Sequence, residues 1–306
     1  MRSVSSAIAP LFEAAAPDLV LVQGDTGSAL GGALAASIAC VPVGHIEAGL
    51  RSHDRRHPWP EEEFRIAIDD LADLLFAPTE LSAANLRREG VRGAIHVTGN
   101  SGIDAVLAIR DAIPKPRTPQ PPKLLVTCHR RENWGDGISS IASAVRRIAS
   151  EIGCDVEIIL HPNPALAKHV RQMLIGEPRI RFRAACSHSD MVSAMLEATL
   201  ILTDSGGLQE EASALGVPLL VLREKSERPE AIASGNMELV GTDPNRILAA
   251  VRRWMSASPP ASAMPFGDGK AGERIACIAA EWLAAKSDDE AAGVFPRQGR
   301  RANAWQ

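Results

Sequence analysis

The chain of 306 residues is 45% hydrophobic and 23% charged, so it can bury a core in two domains of ordinary size. Its formal charge of -4 and its pI near 6.1 provide no basic field for nucleic acid or for an anionic membrane. Any bound anion must therefore be held by local groups, and we expect a small-molecule partner rather than a nucleic acid or a membrane.

The cysteines and the N-terminal residues indicate the compartment. The five cysteines are odd in number and contain no CxxC pair, which argues against a disulfide framework or a zinc knuckle. Pro10, Glu13 and Pro17 interrupt any signal-peptide core, and no apolar run reaches transmembrane length. The sequence therefore predicts a protein of the reducing cytoplasm.

Eight short apolar runs alternate with helical patterns, and their lengths predict buried strands. In chain order the runs are residues 18–23, 41–46, 74–77, 95–98, 123–127, 156–160, 200–203 and 219–222. The clearest helix follows Pro60, with Phe64, Ile68 and Leu71 at helical spacing. This alternation is typical of βαβ units around parallel sheets, so we predict an α/β fold.

A proline-rich run at residues 113–123 is predicted to be a linker, because repeated proline removes backbone donors and disfavours helix in the residues before it. We therefore expect an N-terminal Rossmann-like domain at residues 1–112 and a C-terminal one at 124–271. A helix is expected at 272–286. The polar residues 287–306 lack periodicity and are predicted to be disordered.

Three polar segments in the first half follow or neighbour strands, where open parallel sheets bind ligands. Asp25 comes directly after the first strand, either in a ligand site or as the cap of the next helix. Glu47 lies in a charged segment beside a buried strand, which favours a cleft over a surface loop. Glu61 and Arg65 are also explained as an ordinary ion pair in a first helical turn.

Three further polar segments lie in the second half, and the first two directly follow strands. His129 stands beside two arginines, which should lower its proton affinity and suit acid–base chemistry; an exposed turn is the alternative. The turn Ser205-Gly206-Gly207 between a strand and a helix offers backbone N–H groups to a diphosphate, although a tight turn alone also explains it. Glu211 can accept from a ribose hydroxyl, and Arg228 can pair with phosphate or lie on a plain loop.

Motifs for metals and redox cofactors are incomplete. His45 and Glu47 form an HxE without a downstream PCxxC, and His53 with His57 lacks the glutamate of HExxH. No P-loop occurs, and no GxGxxG is followed by a ribose-binding acid. We therefore expect neither a metal nor a cofactor.

Taken together and in this order, these segments resemble the non-hydrolysing UDP-N-acetylglucosamine 2-epimerase family. The matching stretches are QGDT, GHIEAGLR, PWPEE, APTELSAANL, TGNSGID, TCHRREN, TDSGGLQEEA, GVPLLVLR, ERPEA, LVGTD and FGDGKAGERI, which together span residues 17–275. Because separate motifs agree in order and spacing, the resemblance is specific.

The resemblance implies a GT-B-like fold, in which a ligand cleft lies between two Rossmann-like domains and a C-terminal helix crosses back to the first domain. It implies a homodimer that interconverts UDP-N-acetylglucosamine and UDP-N-acetylmannosamine by eliminating UDP and adding it back with inversion at C2, without a cofactor. Catalytic roles would fall on Asp25, Glu47, Glu61 and His129. Substrate binding would fall on Arg65, Ser205, Gly206, Gly207, Glu211 and Arg228.

The chain departs from the family pattern at its start, since family members begin with a strand and a GTRPE-like loop that are missing here. We therefore expect an incomplete first domain, with the strand at residues 18–23 at the edge of its sheet, and a truncated form of poor stability and little activity. The alternatives are a UDP-sugar glycosyltransferase, a hydrolysing epimerase, or an impaired fragment that only binds UDP-sugar.

Overall fold

A computed structural model describes residues 2–114, 121–128, 130, 133–257 and 262–291. The chain divides into two compact units. The first comprises Met1–Leu50, Pro58–Asn100 and Lys270–Gln306, and the second comprises Arg51–His57 and Ser101–Gly269. Each unit is built around a parallel sheet, which confirms the predicted α/β class. No helix within the described residues is long and apolar enough to cross a membrane.

The sheet of the first unit has four parallel strands in the order β1-β2-β3-β4. These are β1 (Val20–Gln23), β2 (Val43–Ile46), β3 (Leu74–Ala77) and β4 (Ala94–Val97). The helices of this unit are α1 (Arg2–Ala15), α2 (Gly27–Ile38), α3 (Glu61–Leu71), α4 (Glu80–Glu89) and α12 (Ala271–Ala291). Among the described strands β1 pairs with β2 alone, so it is an edge strand, and its Leu21 is 46% exposed.

Both faces of this sheet are covered. On one face Leu75 packs with Ala33 of α2, Ile68 of α3 and Leu86 of α4. Because successive side chains of a strand point to opposite faces, Phe76 lies on the other side, where α12 covers it together with Leu74. The C-terminal helix is therefore part of the core of the first unit.

The sheet of the second unit has six parallel strands in the order β10-β9-β8-β5-β6-β7. These are β5 (Lys123–Thr127), β6 (Asp155–Ile159), β7 (Ile180–Arg183), β8 (Leu200–Thr203), β9 (Leu219–Val221) and β10 (Met237–Leu239). Counted from β5 this is the doubly wound order 6-5-4-1-2-3, whose direction of winding reverses between β5 and β8. Ligands of such sheets bind at the carboxyl ends of the strands beside that point.

Seven helices and one π-helical turn of the described chain accompany this sheet. They are α5 (Ser101–Ala112), α6 (Asp136–Arg147) with the π-helical turn Ile148–Ile152 after it, α7 (Pro164–Leu174), α8 (His188–Leu196), α9 (Gly206–Leu215), α10 (Pro229–Ala233) and α11 (Pro244–Met255). Alternate residues of the central strands bury on opposite faces: Leu124 packs with α6 and α11, and Leu125 packs with α9.

Two predicted boundaries differ from the structure. The sequence predicts a first domain that ends at residue 112 and includes α5, but α5 packs against α8 and α9 of the second unit. Its Ile103 and Leu107 bury in the same cluster as Leu208, and this long-range packing outweighs the proline-rich signal after the helix. The helix α12 continues to Ala291, beyond the expected end at residue 286. Residues 115–120 of the expected linker and 292–306 of the expected tail lie outside the described residues.

Candidate functional site

Asp25 lies at the carboxyl end of β1 and pairs with an arginine. The side chain of Thr26 caps α2 by accepting from the N–H of Ala29 at 3.1 Å, so Asp25 does not serve as the cap. Its carboxylate Oδ2 instead accepts from Nη2 of Arg65 at 2.5 Å. The polar turn after β1 is thus held by α3.

Arg65 is buried between acidic groups. Only 2% of its surface is exposed, and its Nε lies 3.6 Å from Oε2 of Glu62, which is equally buried. Its Nη1 is buried without a hydrogen-bond partner among the described residues. A buried guanidinium needs such partners, and the remaining N–H groups are donors that a ligand can use.

Glu47 lies near the Asp25–Arg65 pair, and its backbone has a constrained conformation. Its φ of 74° is in the left-handed region, which residues with a side chain seldom adopt. The N–H groups of Glu47 and Ala48 both donate to the carbonyl of Phe76 at 3.1 Å, and these bonds hold the turn. A Cβ atom on Gly24 would lie 3.4 Å from Oε2 of Glu47, so this carboxylate reaches the residue that precedes Asp25.

Glu61 is the first residue of α3, one helical turn before Arg65 and on the same helix face. Arg65 contacts Asp25 from this helix face. Glu61, at the beginning of the same face, therefore lies toward the end of the sheet at which Asp25 lies. The structure therefore brings Asp25, Glu47 and Arg65 together and places Glu61 on the same side of α3. His129 lies outside the described residues.

The chain around position 129 is held by a buried aspartate that the sequence analysis did not single out. Oδ2 of Asp204 accepts from the N–H of Arg130 at 2.9 Å, from Nδ2 of Asn133 at 2.8 Å and from Sγ of Cys128 at 3.3 Å. Burial, with a further contribution from the charge of Asp204, raises the pKa of the Cys128 thiol far above its usual range. Cys128 therefore stays a thiol, and Asp204 fixes both neighbours of position 129.

Replacing Asp204 with alanine is expected to lower the free energy of unfolding by about 3 kcal/mol or more, because one buried and two part-buried donors lose a charged acceptor. Urea denaturation measures the change. The control is Asp155→Ala, which removes an ion pair to Arg179 that is about half exposed and should cost no more than about 1 kcal/mol. Equal losses in the two variants would contradict the role given to Asp204.

The turn at Ser205 to Gly207 joins β8 to α9 at the reversal point of the second sheet. Ser205 is the N-cap residue, and its side chain makes no capping bond within the described chain. A Cβ on Gly206 would lie 2.7 Å from Nη1 of Arg228, so glycine lets this guanidinium lie against the start of α9. Arg228 also binds two buried carboxylates, donating from Nε to Glu210 at 2.5 Å and from Nη1 to Glu227. The turn thus combines the first backbone N–H groups of α9 with an oriented cation.

Glu211 faces the same turn. Its Oε1 lies 3.4 Å from Nε2 of His188 and would lie 3.9 Å from a Cβ on Gly207. Its Oε2 is buried without a hydrogen-bond partner among the described residues. Burial raises the pKa of Glu211, and the neighbouring His188 opposes this effect. Sequence analysis found Glu211 but not His188, which carried no motif signal.

These features define a class of protein. Two parallel sheets with polar segments at their carboxyl ends fit two Rossmann-like domains of the GT-B-like type. A family model described as UDP-N-acetylglucosamine 2-epimerase matches residues 1–280. The chain belongs to this family, as the resemblance predicted.

Relatives and solved structures agree. The UDP-N-acetylglucosamine 2-epimerase of Escherichia coli (strain K12) is 42% identical over 287 residues, which are 87% of this chain and 76% of the relative. The Neisseria meningitidis epimerase bound to UDP-GlcNAc has a TM-score of 0.84 and 34% identity over 91% of this chain and 80% of that one. The Methanocaldococcus jannaschii epimerase in complex with UDP-GlcNAc and UDP has a TM-score of 0.80 and 33% identity, with coverage of 91% and 80%.

Proposed function

We propose that this protein is an isomerase that interconverts UDP-N-acetylglucosamine and UDP-N-acetylmannosamine. The observation that carries the proposal is the meeting of Asp25, Glu47 and Arg65 at one end of the first sheet, on the segments that match the family motifs. Relatives solved with UDP-GlcNAc support the choice of substrate.

The proposed reaction needs two acid–base groups and a stabilised leaving group. A base removes the proton from C2, the C–H electrons form the C1–C2 double bond, and the anomeric C–O bond breaks to release UDP and 2-acetamidoglucal. Addition of UDP then returns a proton to the opposite face of C2. We assign this proton chemistry to Asp25, Glu47, Glu61 and His129, with Arg65 orienting Asp25.

The second unit is proposed to bind UDP. The N–H groups of Gly206 and Gly207 at the positive end of α9 suit a diphosphate, and Ser205 can add its hydroxyl, which makes no capping bond within the described chain. Arg228 adds a cation beside them. Both stabilise the negative charge that develops when UDP leaves. Glu211 has an acceptor oxygen for a ribose hydroxyl at the same turn.

Solvent deuterium is expected to appear at C2 of both epimers when the reaction is run in deuterated water. Elimination breaks the C2–H bond, so the returning proton comes from solvent, and traces of UDP and 2-acetamidoglucal should be released. NMR of the sugar products measures the exchange. Epimerisation with the original hydrogen retained at C2 would rule out the mechanism.

The same assay separates the alternatives. Free N-acetylmannosamine together with UDP would identify a hydrolysing epimerase. Transfer of the sugar to an added acceptor would identify a glycosyltransferase. Binding of UDP-sugar without turnover would identify a protein that only binds it.

We also propose that the protein acts as a homodimer in the cytoplasm and supplies UDP-N-acetylmannosamine for cell-envelope polysaccharides. All five cysteines are free, which fits a reducing compartment. Light scattering of the purified protein tests the dimer.

A further inference from the structure

A buried histidine–aspartate pair lies directly beneath the two loops that carry Asp25 and Glu47. His45 of β2 has no exposed surface, and its Nδ1 lies 2.6 Å from Oδ1 of Asp69 on α3, which is 1% exposed. Its Nε2 lies 3.0 Å from the carbonyl oxygen of Gly24. Both ring nitrogens face acceptors, so the two hydrogen bonds form together only when both nitrogens carry a proton.

The second oxygen of the aspartate extends the pair to the other loop. Oδ2 of Asp69 accepts from the N–H of Gly49 at 3.2 Å, and Nδ2 of Asn85 donates to the carbonyl of Gly49 at 3.0 Å. Gly49 has a φ of 82° and stands two residues after Glu47. The Asp69 carboxylate therefore holds the main chain at Gly49, just after Glu47. The His45 imidazole holds the main chain at Gly24, just before Asp25.

Helix α3 thus contacts the Asp25 segment twice. Arg65 binds the Asp25 side chain directly at 2.5 Å. One helical turn later Asp69 reaches the same segment through His45 and the Gly24 carbonyl. A segment fixed through both its side chain and its backbone has little freedom to rotate its carboxylate away from a ligand.

The same network supports the unusual backbone of Glu47. A left-handed conformation at a residue with a side chain persists only where the surroundings hold it. The bonds to the Phe76 carbonyl fix the start of this turn, and the Asp69–Gly49 bond fixes its end.

We propose that His45 and Asp69 are positioning residues that set the geometry of Asp25 and Glu47 for proton transfer at C2. This inference rests on the proposed epimerase function. Neither side chain needs to touch the sugar. Because the groups assigned to UDP lie in the second unit, loss of the pair should reduce turnover far more than substrate binding.

The test compares His45→Gln and Asp69→Asn with His96→Gln. His96 lies on β4 of the same sheet, where its ring neighbours that of Phe76, and it is a matched control for replacing a histidine in this sheet. We expect kcat to fall about a hundredfold in the first two variants, as a misplacement of about 1 Å produces, with little change in KM for UDP-N-acetylglucosamine. The control should keep its kcat.

One readout that does not depend on turnover completes the test. In Asp69→Asn the amide of Gly49 should exchange with solvent faster, because it loses a carboxylate acceptor.

The outcomes separate this inference from the proposed function. A wild-type protein without epimerase activity contradicts the function, and the Gly49 exchange then decides the positioning role. Turnover in His45→Gln and Asp69→Asn equal to that of His96→Gln overturns the inference, as does unchanged Gly49 exchange in Asp69→Asn. If His45→Gln does not fold, Asp69→Asn alone decides, since its carboxamide has the size of the carboxylate that it replaces.

Discussion

Replacing Glu47 with glutamine is expected to lower kcat by about 10²- to 10⁴-fold, the range for loss of one acid–base group. Glutamine keeps the size of the side chain, and it adopts a left-handed backbone no more readily than glutamate, so the turn at φ 74° should be little altered. The variant removes the negative charge and the ability to exchange a proton while it keeps the size of the side chain. Initial rates of epimerisation, together with thermal unfolding, measure the effect.

The control for this variant is Glu80→Gln, at an exposed position at the start of α4. Its turnover should equal that of the wild type. If Glu47→Gln epimerises as fast as Glu80→Gln, Glu47 is not one of the acid–base groups.

Replacing Arg65 with methionine is expected to destabilise the protein by about 3–5 kcal/mol, the cost of removing one partner from a buried ion pair. Glu62 is 2% exposed and would lose its guanidinium neighbour, while Asp25 is more open and contributes less. Such a loss is a large part of a typical stability of about 5–15 kcal/mol. Hydrogen exchange of α3 amides and urea denaturation measure it.

A surface pair provides the comparison. Arg87→Met removes an exposed partner of Glu80 and should change stability by no more than about 1 kcal/mol. A similar small change in Arg65→Met would show that the buried position of Arg65 does not control the stability of this unit.

Most of the fold follows from local patterns. All eight predicted strands occur, because each is a short run rich in apolar residues, including β1 and β4 at the two edges of the first sheet. The two strands that were missed, β7 and β10, are the edges of the second sheet. Edge strands are often short or charged, and in β7 Arg181 and Arg183 alternate with Ile180 and Phe182, which weakens the apolar signal.

The partners within the candidate site depend on tertiary structure. Arg65 is far from Asp25 in sequence, and His45 is far from Asp69. No motif spacing therefore predicts either pair. The role of Asp204 depends on register: β5 and β8 pair Thr127 with Thr203, which places the residues that follow each of them side by side. Motifs therefore predict which residues carry the chemistry, whereas the contacts that support those residues become visible only in the fold.

The cover that α12 provides for the first sheet has a consequence for biosynthesis. Leu74 and Phe76 are synthesised before the second unit, but Ile275 and Ala279, which help to bury them, are synthesised after it. At a translation rate of about 5–20 residues per second, the interval between the synthesis of the two groups is on the order of ten seconds or more. During that interval the nascent chain can complete almost all of its second unit, while one apolar face of the first remains open to chaperones or to neighbouring chains on the same messenger RNA.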